Sequence, residues 1–253
     1  MKDGKEMMPL IDHLTELRKR VIWILVALVV TMVGGFYAAT FLLNYLKSVY
    51  PASAVTWNAL APFDGIRVYM QCAFMLAMVV MLPFAMYHIW AFVKPGLRAR
   101  ERQAALHYIP LAIVFFLLGL VFAYFVVFMM AFRFTSEVNQ NMGLTETYGV
   151  SQYFSFLFNI VLPVSLLFEL PLVVMFLTKL HILNPARLRK MRKFAYLALV
   201  IAGIVITPPD FISDILVIVP LVTLYELSLL LSGIIYRKRI AREAASGAVQ
   251  GSI

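Results

Sequence analysis

Long apolar runs separated by short polar clusters set the pattern of this chain. Runs without a charged residue cover 21–43, 68–93 and 109–132, while 153–178 contains Glu169 and 215–236 contains Glu226. Each meets the requirement of roughly 20 apolar residues for an α-helix that crosses about 30 Å of hydrocarbon. A further run, 194–207, has only 14 residues. That makes about 21 Å of helix at about 1.5 Å per residue, and length alone favours a half-inserted segment. Ahead of the first run, Leu10, Leu14, Leu17 and Val21 recur at helical spacing, which predicts an amphipathic helix leading into the membrane.

Charge placement decides whether the short run crosses. If it does, five Lys/Arg in 1–20, four in 94–107, six in 179–193 and four after Tyr236 share one side, leaving only Lys47, Arg67 and Arg133 on the other. If it does not, the basic tail "YRKRIAR" lies outside, against the tendency of Lys and Arg to stay cytoplasmic. The expectation is an all-α polytopic membrane protein of six transmembrane helices, at about 21–43, 68–93, 106–132, 153–178, 194–207 and 215–236, with both termini cytoplasmic. The short fifth helix implies local bilayer thinning or cover from neighbouring helices. Residues 1–20 form a cytoplasmic amphipathic segment, and 237–253 a basic and then disordered tail. Loops 44–67 and 133–152 are long enough to cap the outer side, and Pro51, Trp57 and Pro62 give the first an ordered character.

Composition agrees with a bundle in lipid. Of the 253 residues, 62% are hydrophobic and 14% charged, and the mean hydropathy is +0.87, whereas soluble domains are about half apolar and a quarter charged. The net charge of +9 follows from topology signals and does not require nucleic acid. The start "MKDGKEMMPLIDHL" lacks the apolar core and cleavage site of a secretory signal peptide. A lone Cys72 within an apolar run excludes an intrachain disulfide and a cysteine-rich metal site. No HExxH, Gly-x-Ser-x-Gly or Walker-type loop is present, and the four histidines are scattered. The chain does not read as an enzyme, and no cofactor is expected.

The remaining chemistry lies in isolated acids. Glu169 sits two residues before Pro171 in a span with 17 Leu, Ile, Val and Phe residues. Those residues contribute about −0.3 to −0.6 kcal/mol each to insertion, against about +3 for a central acid, so the span inserts despite it. Pro171 cannot donate to the Leu167 carbonyl, nor Pro163 to that of Asn159, so this span is expected to bend and expose acceptors near Glu169. Either Glu169 ties the span to a neighbouring hydroxyl or carbonyl, or it forms a polar site for a partner helix, a substrate or a proton. Glu226, six residues after Pro220, poses the same choice nearer the cytoplasmic end. Two more acids lie among cytoplasmic basic residues. Glu16 faces Lys19 and Arg20 at helical spacing, as an ordinary ion pair does. Glu101 stands between Arg100 and Arg102, where an acid suits a first helical turn. Together they also suit a cationic ligand. A proton-coupled small-solute transporter using Glu169 and Glu226 is the competing reading, although no internal repeat is visible.

Several segments in order carry a resemblance: "HLTELRKR" (13–20), "YHIWAFVKPGLRARERQ" (87–103), "LGLVFAYFVVF" (118–128), "FELPLVVMFL" (168–177), "ITPPDFISD" (206–214) and "VPLVTLYEL" (219–227). With the six-span plan, they make the chain resemble the TatC family of twin-arginine protein translocase subunits over nearly its whole length. The resemblance implies a core receptor in a bacterial-type cell membrane that binds twin-arginine signal peptides of folded cargo proteins. It implies recruitment of TatA-type and TatB-type single-span partners, self-association, and export driven by the protonmotive force. It places the signal-peptide site at Glu16 and Glu101, with His13, Leu17, Arg18 and Phe92 nearby. It makes Glu169 a point of partner-helix contact, with Glu226 a second intramembrane polar position, and gives weight to Pro209 and Asp210 in the outer turn. The first outer loop is only loosely similar to the family there. Paired guanidiniums call for carboxylates, and bidentate charge-assisted bonds are among the strongest contacts at a wet interface.

Overall fold

The computed structural model describes residues 3–94, 108–179, 183–207 and 211–250. The fold is all-α, with no β-strand among the described residues. Its helices are α1 (Asp3–Ser48), α2 (Asp64–Val93), α3 (Tyr108–Phe122), α4 (Met129–Asn141), α5 (Val150–Leu167), α6 (Leu170–Lys179), α7 (Pro185–Lys190), α8 (Arg192–Ile206) and α9 (Phe211–Gln250). A π-helical stretch, Ala123–Phe128, joins α3 to α4. Among the described residues, five helical segments are long and apolar enough to cross a membrane: Leu14–Ser48, Asp64–Phe92, Ile109–Asn141, Val150–Lys179 and Asp214–Arg237. The short α8 has 15 residues, about 22 Å at about 1.5 Å per residue. The chain divides into two compact units, Met1–Ile113 with Thr147–Phe158, and Val114–Glu146 with Asn159–Ile253.

In the first unit α1 packs along α2 through small residues. Gly35 needs its missing side chain: a Cβ there would lie 2.5 Å from the Ala73 carbonyl oxygen. Ala39, Cys72, Ala73 and Ala77 are buried around this contact. Small residues allow the close backbone approach that holds helices together in lipid. Phe36 and Thr40 of α1 both reach Tyr69, the threonine hydroxyl 3.3 Å from the phenol oxygen. The opposite face of α1 exposes Val30, Tyr37 and Phe41.

The first outer loop is ordered. Asp64 at the start of α2 is buried and accepts from the Leu60 and Ala61 amides at 2.8 and 2.9 Å. Trp57 packs edge-on to Tyr153 and stacks on Phe154, with Lys47 Nζ 5.6 Å from its ring. The Val150 amide donates to the Asn58 carbonyl at 2.8 Å.

In the second unit, span four is broken, as Pro163 and Pro171 lead one to expect: α5 ends at Leu167 and α6 starts at Leu170, with Phe168 and Glu169 between them. Gly119 of α3 faces the break, where a Cβ would lie 2.9 Å from Ser165 Cα. Thr178 on α6 and Ser232 on α9 share a buried hydroxyl pair at 2.7 Å. A Cβ on Gly203 would meet the Ile218 side chain at 2.7 Å, so α8 and α9 also approach closely.

α1 is continuous from Asp3 to Ser48, so residues 3–20 run into the first span without a break, and the charges of "ELRKR" do not interrupt helical hydrogen bonding. Span three likewise stays helical past 132 to Asn141 and stops at Gly143, whose φ of +70° suits a helix end that only glycine adopts easily. The tail after Arg242 is helix to Gln250 rather than disordered. Its Ala and Glu residues are strong helix formers.

Candidate functional site

α1 carries the first candidate site on its polar turn. The Arg20 guanidinium donates to Glu16 Oε1, through Nη2 and through Nε at 3.2 Å, as the four-residue spacing predicts. The pair stays accessible, with 36% of the Glu16 side chain exposed. Leu14 and Leu17 beside it are exposed at 64% and 39%, and so are Arg18 and Lys19. The contacts of Gly35 with Ala73 and Thr40 with Tyr69 fix an antiparallel register between α1 and α2. That register brings the end of α2, with half-buried Phe92, level with Glu16 and Leu17. His88 lies one turn earlier on α2. There α2 presents an aromatic cluster, with His88 4.4 Å from Phe84 and 5.8 Å from Tyr87, and Tyr87 5.7 Å from Trp90. Lys94 Nζ lies 5.3 Å from the Trp90 ring. His13 lies on α1, but its side chain, and Glu101 entirely, fall outside the described residues.

In the second unit Glu169 lies at the break of span four and is 8% exposed. Among the described residues, neither carboxyl oxygen has a hydrogen-bond partner. The Phe116 main chain comes near, but not in hydrogen-bonding geometry. The nearest hydroxyl on its own span is already engaged, Ser165 donating to the Val161 carbonyl at 2.5 Å. Phe168 packs on Phe122 with ring centroids 5.2 Å apart. The tie to a neighbouring hydroxyl or carbonyl, one of the two alternatives open from sequence, is therefore not made among the described residues. A buried carboxyl without a partner costs free energy, about 1–3 kcal/mol.

Glu226 is different. Arg192 Nη2 donates to its Oε2 at 2.7 Å and the Tyr196 hydroxyl to its Oε1 at 2.5 Å, clamping α8 to α9. The Tyr225 hydroxyl adds a bond to the Leu188 carbonyl at 3.0 Å. Both oxygens of Glu226 have structural work, which leaves none free for a relay.

Pro209 and Asp210 lie outside the described residues. Flanking them, Thr207 Oγ1 donates to the Asp214 carboxylate and approaches the Gly203 carbonyl at 2.9 Å. Sequence reasoning passed over this pair and His88. The signal for the first was an acid seven residues after a threonine in a proline turn. His88 Nδ1 is buried without a partner, a property that spacing cannot reveal.

The comparisons with known proteins agree with one another. Residues 12–220 match the family model described as Sec-independent protein translocase protein (TatC). A Sec-independent protein translocase protein TatC from Halalkalibacterium halodurans is 45% identical over 231 residues, 91% of each chain. TatCy of Bacillus subtilis is 40% identical over 238 residues, 94% of each chain. A crystal structure of a twin arginine translocase receptor, TatC, superposes with a TM-score of 0.76 at 28% identity, covering 88% of this chain and 99% of its own. This multi-pass membrane protein belongs to the TatC family of Sec-independent protein translocase proteins.

Proposed function

We propose that this chain is the core receptor of a twin-arginine export system and binds the signal peptides of folded cargo at the end of the bundle that carries Glu16. The Glu16–Arg20 pair carries the reading: an accessible carboxylate already set to receive a guanidinium, with exposed Leu14 and Leu17 beside it. A twin-arginine peptide exchanges its own guanidinium for Arg20 on Glu16, places the second on Glu101, and lays its apolar stretch along Leu17 and Phe92. His13 and Arg18 border the same turn. The distribution of basic residues supports a cytoplasmic position for both termini and for this site.

Single-span TatA-type and TatB-type subunits are the proposed partners, with Glu169 as a docking point for a partner helix. Pro209 and Asp210 extend the contact on the outer side. The protonmotive force drives transport, and self-association builds the receptor. Family membership and the unpartnered Glu169 carboxyl support this reading over a proton-coupled solute carrier, whose relay would need Glu226 free.

Photocrosslinking tests the site. A probe in a twin-arginine signal peptide is expected to label the chain at α1 and to lose most of that label in the Glu16→Ala/Glu101→Ala double variant. Removing charge-assisted bonds worth about 1.5–3 kcal/mol corresponds to roughly 10- to 150-fold in affinity. Unchanged labelling, with the bundle intact, would remove Glu16 and Glu101 from the site.

A further inference from the structure

At the basic end of the second unit, a cleft of about 390 Å³ opens between α7 and α9. It is lined by Asn184, Pro185, Arg189, Gly233, Tyr236 and Arg237, among others. The two guanidiniums are exposed, and no acid engages either among the described residues. Arg192, two residues after α7, has its acid in Glu226; Arg189 and Arg237 do not. Gly233 keeps the cleft open, since a Cβ there would meet nothing nearer than Arg189 Nη2 at 4.0 Å. The chemistry is that of an anion site, opposite in sign to Glu16 and unsuited to an arginine-bearing peptide.

The cleft also has an apolar approach. Leu230, Gly233 and Arg237 recur at helical spacing along one face of α9. Leu230 is 61% exposed and its neighbour Ile234 51%. Both lie in the stretch Asp214–Arg237, which is long and apolar enough to cross the membrane. Tyr236 closes that stretch where aromatic residues favour the membrane interface. An anion held by Arg189 and Arg237 therefore sits at headgroup level, with a lipid-facing track directly below it.

We propose that this cleft binds the phosphate of an anionic phospholipid, Arg189 and Arg237 clamping the headgroup while an acyl chain lies along Leu230. Planar guanidiniums match phosphate oxygens bidentately, and basic pockets between spans take such headgroups. A free phosphate has the same charge chemistry but gains nothing from the apolar track, so the lipid is the favoured source.

The test uses the full chain purified in phosphatidylcholine nanodiscs carrying a minor fraction of phosphatidylglycerol or cardiolipin. Native mass spectrometry reads the lipids retained on release. The wild-type chain is expected to keep anionic lipid over phosphatidylcholine, and Arg189→Gln/Arg237→Gln to lower that retention roughly tenfold or more. Gly233→Leu fills the cleft while keeping both charges and improving helix propensity, so it is expected to lower retention without loss of thermal stability in phosphatidylcholine. Retention unchanged in both variants overturns the proposal. Equal displacement of the lipid by millimolar inorganic phosphate overturns the lipid as the ligand and leaves an anion site. Signal-peptide crosslinking is expected to be unaffected by either variant, which separates this site from the Glu16 reading.

Discussion

Glu169 and Glu226 are both glutamates within spans, and their surroundings give them different parts. Glu226 is saturated by Arg192 and Tyr196, whereas both oxygens of buried Glu169 lack a partner among the described residues. Glu226→Ala is expected to lower the stability of the chain by about 1–2 kcal/mol, because it leaves a partly exposed Arg192 unpaired. Denaturant unfolding in detergent checks this, and crosslinking to signal peptide should stay as in wild type. For Glu169 the expected order is reversed. Glu169→Leu stabilises the isolated chain by about 1–3 kcal/mol, by removing an unsatisfied group, yet lowers export. Glu169→Gln keeps much of the export, since a hydrogen-bonding head is what a partner helix meets in lipid, and Glu169→Ala loses more. Export of a twin-arginine reporter reads the series, and equal export by the Ala variant and wild type would contradict it. Sequence placed both acids inside spans but could not separate them. The groups that satisfy Glu226 lie 34 and 30 residues away along the chain, and for Glu169 the informative fact is a missing contact.

Helix boundaries follow a different logic from membrane boundaries, and that difference explains what hydropathy could and could not show at the level of elements. The apolar runs located the spans, and the two prolines of span four announced its break. The extension of span three to Asn141 was hidden, because charges end a hydrophobic run without ending a helix, whereas leucines at helical spacing through the basic turn already led α1 into its span. The π-helical stretch Ala123–Phe128 left no mark in the residue pattern either. Close helix contacts are set by glycines whose role appears only when neighbours are known. Gly34 and Gly35 are adjacent in sequence, yet a Cβ on Gly34 meets nothing within 4 Å while one on Gly35 meets the Ala73 carbonyl oxygen at 2.5 Å. Gly35→Ala is expected to destabilise the α1–α2 pair by about 1–3 kcal/mol through overpacking. Gly34→Ala is expected to be neutral or to stabilise by up to about 1 kcal/mol through helix propensity. Unfolding of the two variants in the same detergent decides the point, and equal effects would deny the close contact.

Across the whole molecule, the tendency of Lys and Arg to stay cytoplasmic is the ground for expecting both proposed ligand sites to face the cytoplasm. Glu16 is an acidic position in a basic neighbourhood, whereas Arg189 and Arg237 have no acid on them among the described residues. Their opposite charge means that a cationic peptide and an anionic headgroup are not expected to compete. Single cysteines introduced near either end of the chain are expected to be shielded from an impermeant thiol reagent in intact cells. A cysteine in the ordered loop around Trp57 is expected to react. The reverse pattern would invert the topology and with it the proposed site. The central claim is recognition of paired arginines by carboxylates at the Glu16 end. Its most direct measurement is the affinity of the nanodisc-embedded chain for a twin-arginine signal peptide and for the same peptide with both arginines changed to lysine. Lysine lacks the planar fork, so the wild type is expected to bind the arginine form roughly tenfold or more tightly, and the Glu16→Ala/Glu101→Ala variant to lose most of that preference. Equal binding of the two peptides by the wild type, or a preference that survives in the variant, would contradict it.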